Sequence, residues 1–151
     1  MGRDRPRVAG QLSAHYFWSA GLLVSYRDSL TASGARARVA SVSADLRPLF
    51  LIRWPRYLEQ GPAWLDLTVD SCSLNIGAYF AWPGQLGDAS ESGLEAGLGF
   101  GVPLAGSASG PWLGARGLIG WPELSTSRSP WASGILTLGV NGLFESPWLA
   151  R

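Results

Sequence analysis

Apolar and polar positions alternate with a period of two through most of the chain. From Ala14 to Arg27 the even positions read Tyr16, Trp18, Ala20, Leu22, Val24, Tyr26, and the odd ones His15, Phe17, Ser19, Gly21, Leu23, Ser25, Arg27. Successive side chains of a pleated strand point to opposite faces, so this split predicts a strand with one apolar face. From Val39 to Trp54 one parity carries no charge, while the other holds Ser41, Ser43, Asp45, Arg47 and Arg53. Cys72 to Trp82, Gly93 to Leu104, Leu113 to Trp121 and Ile135 to Phe144 repeat the grammar, with Gly, Ser, Asn and a few charges opposite Leu, Ile, Val, Phe and Trp.

The intervening stretches, Asp28 to Gly34, Pro55 to Pro62, Pro83 to Ser92, Ala105 to Gly110 and Pro122 to Pro130, are rich in turn-forming residues. They are too short for crossover helices. The expected fold is therefore all-β, an antiparallel meander closing into a barrel. Its count is six long strands, or eight if Val39–Trp54 breaks at Pro48 and Ala63–Trp82 breaks at Asp70-Ser71. The expected organisation is a disordered or extended segment over 1–12, one barrel domain over 13–145 and a tail over 146–151. The barrel would be open or incomplete if strands precede Met1.

The composition of the polar face decides which way the sheet points. A soluble barrel exposes charge outside, yet only 15% of residues are charged and 20 of 151 are Gly, against ~25% and ~7% in ordinary domains. Small polar residues make a poor soluble surface but leave room in a narrow lumen for Asp45, Arg47, Arg53, Glu95 and Arg116. Trp18, Tyr26, Trp54, Trp64, Trp82, Trp121 and Phe144 lie at or near segment ends, where the interfacial aromatics of a membrane barrel fall. No apolar run approaches the ~20 residues of a spanning helix, and the basic start, Met1 to Arg7, is not followed by the uninterrupted apolar stretch of a signal peptide.

On these segments, about Ser13 to Phe144, the chain resembles the small transmembrane β-barrels of the bacterial outer membrane, in the Arg-only, Trp/Gly/Leu-rich wording of GC-rich bacteria such as myxobacteria. The resemblance implies an outer-membrane location, contact with membrane lipid and a structural or passive-transport role without enzymatic activity. The chain departs from the pattern in showing no signal peptide and six long strands instead of eight. An internal start at Met1, leaving the last six strands of a longer protein, would account for both, and a homo-oligomer would supply strands another way. The alternative is a soluble, lipocalin-like barrel that binds a small ligand with its apolar faces. A lipid-modifying outer-membrane enzyme stands third.

The sequence offers little chemistry. A net charge of +1, all 12 basic residues being Arg, supplies no broad basic surface for nucleic acid. One His and one Cys leave no structural metal set, and no cofactor is expected. His15 is the single imidazole, but Phe17 stands where a His/Ser lipid deacylase would carry its Ser, so His15 reads as a lumen or rim residue. Gly106-Ser107-Ala108-Ser109-Gly110 has Ala where a nucleophile elbow needs Ser, and Val102 breaks the dinucleotide pattern of Gly97, Gly99 and Gly101. Asp66 and Asp70 with Asp45 fall short of the six to eight oxygens of a Ca²⁺ site. Asp88, Glu91 and Glu95 read as an acidic loop entering a strand, and Cys72 as a small hydrophobe. Asp45, Arg47, Arg53, Glu95 and Arg116 share the polar parity and are expected to converge and plug the barrel. Glu95 and Arg116, on neighbouring strands but out of register, need long side chains or a water to meet.

Overall fold

The computed structural model describes residues 7–29, 38–58, 60–83, 90–122 and 129–142. Seven strands occur among them: β1 (Arg7–Tyr16), β2 (Ala20–Ser29), β3 (Arg38–Leu46), β4 (Ser73–Trp82), β5 (Glu91–Pro103), β6 (Gly110–Pro122) and β7 (Trp131–Asn141). Each pairs antiparallel with the next in one sheet of order β1-β2-β3-β4-β5-β6-β7. The all-β meander read from the alternation is the observed fold, a nearly closed barrel with one unsealed seam between β1 and β7.

Seven arises from two departures. Ala14–Arg27 is two strands, because the chain reverses at Phe17-Trp18-Ser19. Three residues link Tyr16 to its partner Ala20, so even positions stay opposite even positions across the turn, and parity could not reveal it. The strand so uncovered begins at Arg7. Val39–Trp54 and Ala63–Trp82 do break at Pro48 and at Asp70-Ser71, but the pieces released are helical: α1 (Pro48–Arg53), a 3-10 turn (Trp54–Arg56) and α2 (Ala63–Asp70). Pro48 lacks a ladder N–H and suits the first turn of a helix. Ser71 fixes the end of α2 to the sheet, its hydroxyl accepting from the Gly101 N–H at 2.7 Å and lying 2.8 Å from the Gly101 carbonyl.

The curl of the sheet is visible in its side chains. Neighbouring strands lie ~4.8 Å apart, so strands three places away stand ~14 Å apart in a flat sheet. Yet Arg27 of β2 reaches Glu95 of β5 at 2.5 Å, and Asp45 of β3 reaches Arg116 of β6 at 3.0 Å. The polar parity is concave and the apolar parity convex. Ser25, Arg27, Ser41, Ser43, Asp45, Asn75 and Glu95 are buried, while Leu22, Val24, Val42, Ile76, Leu94, Leu98 and Ile119 are exposed. On β7 the reversal is starkest, with Leu136 81%, Leu138 76% and Val140 82% exposed. Leu23, Val39, Tyr79, Ala81, Trp112, Leu118 and Ile135 supply what apolar packing the interior has.

Gly97 shows how tightly that interior is filled. A Cβ there would lie 2.5 Å from both the Gly117 carbonyl oxygen and Leu118 Cδ2 and 2.7 Å from Asn75 Oδ1. Gly97→Val is expected to lower stability by about 1–3 kcal/mol through overpacking, read as a fall in the denaturant midpoint of the strand circular-dichroism signal. An unchanged midpoint would mean that β5 is free to move away from β6.

Candidate functional site

The barrel has two ends. One carries the β1–β2 turn, the helical connection from Arg47 to Cys72 and the β5–β6 turn; the other carries the last residues of β2, β4 and β6 and the first of β3, β5 and β7. Near the first end, His15 of β1 faces inward and its Nε2 lies 2.8 Å from Asp45 Oδ2. The second carboxylate oxygen of Asp45 accepts from Arg116 Nη1 at 3.0 Å, and the same Nη1 donates to Asn75 Oδ1 at 2.8 Å. Three strands, β1, β3 and β6, thus meet at one carboxylate, and β4 joins them through Arg116. Asp45 is 1% exposed, and such burial is tolerable for a charge only when its lone pairs are taken by donors.

A second layer lies toward the middle. Arg27 Nη2 donates to Glu95 Oε2 at 2.5 Å, with side chains only 2% and 1% exposed. Ser43 donates to the other oxygen of Glu95 at 3.4 Å, and Ser25 and Ser41 hydroxyls lie 2.7 Å apart. Beyond them Tyr79 donates to Glu91 at 2.6 Å and packs edge-on against Trp131, over which the Arg27 guanidinium also sits at 5.3 Å. The interior is crossed at successive levels by hydrogen bonds, most of them charge-assisted.

Of the five charges expected to converge, Asp45 and Arg116 meet, while Glu95 faces inward at another level. Glu95 meets Arg27 and not Arg116, whose partner is Asp45. Arg27, His15, Asn75 and Tyr79 all lie on the polar parity, which marked them as inward-facing without naming their partners. Arg47 stands at the mouth, its guanidinium 4.3 Å above the Trp18 ring. Arg53 is outside the lumen altogether. It lies on α1 and joins the helices, donating to an Asp66 carboxylate oxygen and, at 2.8 Å, to Asp70. The Asp66 hydrogen bond in particular raises the pKa of Arg53 above its ordinary value, and Asp70 adds to it, while burial opposes both. The strand parity that placed Arg53 inside lapses at Pro48, where the period becomes helical. Asp66 and Asp70 are therefore partners of an arginine.

The aromatics divide as well. Tyr26, Trp82 and Trp121 are outward-facing and cluster toward the end of the barrel remote from the helices. Trp54 and Trp64 are exposed on the helical connection at the opposite end, Trp54 beside Phe17 at 6.3 Å. Trp18 is the correction: it points into the mouth, between Arg47 and Trp112, whose ring lies 6.0 Å away. It occupies a turn with left-handed backbone (φ +58°), where strand alternation does not apply. Phe144 lies outside the described residues.

Glu95→Ala is expected to destabilise the protein by about 3–5 kcal/mol, because it strands the Arg27 guanidinium in the interior. Glu95→Leu combined with Arg27→Met should recover much of that loss. A chemical-denaturation series over the single and double variants checks both, and equal losses in all of them would mean that packing and not charge pairing holds the interior.

No protein-family profile, no curated protein and no solved structure matches this chain.

Proposed function

We propose that this protein is a membrane-spanning β-barrel of the bacterial outer-membrane kind, with a plugged interior and a structural, non-enzymatic role. The inverted burial carries the reading: large aliphatic side chains cover the convex face while carboxylates, guanidiniums and hydroxyls fill the concave one. An exposed apolar band of this extent calls for lipid or another apolar surface to cover it. Its dimensions suit a bilayer. The ten residues of β4 make ~34 Å of strand at ~3.4 Å each, or roughly 26 Å of height at a tilt of ~40°, against an apolar band ~25 Å tall. Tyr26, Trp82 and Trp121 at one end and Phe17, Trp54 and Trp64 at the other flank that band, as interfacial aromatics do.

The charge lattice supports closure over conduction. A barrel of about eight strands is only wide enough for side chains to fill, and Arg27–Glu95 and Arg116–Asp45 cross this one at two levels. The lipocalin-like reading needs the apolar faces to line an enclosed pocket, and their exposure weighs against it. His15 has its Nε2 committed to Asp45.

Full-length protein should partition with detergent in phase separation and float with liposomes of bacterial phospholipid. Recovery as a detergent-free soluble monomer would favour the ligand-binding barrel. Reconstituted into a planar bilayer, the unmodified protein is expected to give no steady conductance, whereas a variant with Arg27, Glu95, Asp45 and Arg116 all replaced by Ala should admit ions if it inserts. Sustained current through the unmodified protein would refute the plug.

A further inference from the structure

Arg47 is the one lumen-side charge described above that has no carboxylate of its own. Its Nε and Nη1 are buried and have no hydrogen-bond partner. The carboxylates nearby already have cationic partners: Asp45 accepts from His15 and Arg116, and Asp66 and Asp70 of the helical connection accept from Arg53. Burial lowers the pKa of the Arg47 guanidinium from its ordinary value and Arg116 lowers it further, against a partial offset from Asp45. Two more donors are unspent at this end of the barrel. Trp18 Nε1 is buried without a partner, and so is Asn75 Nδ2, whose amide is oriented by the bond that its oxygen accepts from Arg116.

The backbone is strained to make this arrangement. Phe17 and Trp18 both adopt the left-handed region, at φ +49° and +58°, in a turn whose preferred residues are Asn and Gly. Each such bulky residue is disfavoured there, and strain of this kind collects at functional sites. What the turn achieves is placement: the Trp18 ring lies beneath Arg47, and the Arg47 backbone N–H donates to the Ser19 carbonyl at 2.7 Å. The guanidinium sits over the indole at 4.3 Å, a contact that leaves its N–H groups unspent, and a guanidinium can receive an oxyanion through two donors.

We propose that the helical end of the barrel binds a phosphate group, received by the guanidinium of Arg47 together with the Trp18 indole N–H. The chemistry is the same whether the phosphate is free or belongs to a lipid headgroup. The proposal stands independently of membrane insertion, since it rests on the mouth and not on the convex face.

Isothermal titration of the full chain in maltoside detergent tests it, with inorganic phosphate in one arm and dihexanoyl phosphatidic acid in the other, at constant chloride. Saturable one-to-one binding is expected. Tighter binding of the lipid would identify a headgroup as the source, and equal or weaker binding a free anion; both support the site. Trp18→Phe keeps the ring under Arg47 but deletes the N–H, and should weaken binding about tenfold. Arg47→Lys retains charge but loses the two-donor edge, and should weaken it at least as much. Strand circular dichroism should not change in either. Absence of saturable binding in both arms, or affinity untouched in both variants, overturns the proposal. Should Arg47→Lys fail to fold, Trp18→Phe decides alone.

Discussion

A buried guanidinium has to meet an acceptor, and in this chain that requirement shapes the sheet. Arg27 is 2% exposed on β2 and finds Glu95 on β5; Arg116 on β6 finds Asp45 on β3. Neither pair can form unless the strands between curl, so each bond fixes curvature as well as charge. Removing one member leaves an uncompensated ion in a confined space, which is why such pairs contribute more to the uniqueness of an arrangement than to its net stability. The hydroxyls of Ser25, Ser41 and Ser43 and the missing side chain of Gly97 are the space-filling side of the same constraint, since a narrow interior admits long charged side chains only where its other positions are small.

The convex face follows from the concave one. A strand has two faces and a period of two, so a meander that commits one parity to charge and hydroxyl has only the other for its Leu, Ile and Val. That leaves an apolar exterior bounded by aromatics, and a β1–β7 seam where the sheet's own hydrogen bonds stop. β1 and β7 run in the same direction in a seven-stranded meander, so they would have to pair parallel to seal it directly. A strand antiparallel to both would fit the gap with the same ladder as the rest of the sheet.

The helical connection departs from this economy at one end. Between β3 and β4 the chain leaves the sheet for α1 and α2, held to each other by Arg53 with Asp66 and Asp70 and to β5 by Ser71. It brings Arg47 against the strained β1–β2 turn, and the mouth so formed holds a guanidinium without a carboxylate of its own, where Arg27 and Arg116 below it each have one.

Alternation alone was enough to determine the all-β meander and the inward parity of Asp45, Glu95 and Arg116, because parity is a property of the strand and survives any amount of curling. It even crossed the hidden turn at Phe17-Trp18-Ser19, whose three residues preserve the phase and so concealed β1. Which charges pair was decided only by the tertiary structure. Arg27 and Glu95 stand 68 residues apart in the chain, and Asp45 and Arg116 71 apart, and their meeting depends on the curvature and stagger of the closed sheet, which no local spacing encodes. Arg53 and Trp18 were misplaced for a related reason. Each lies where the period of two has ended, one in a helix and one in a turn, and there the direction of a side chain is set by what the chain packs against.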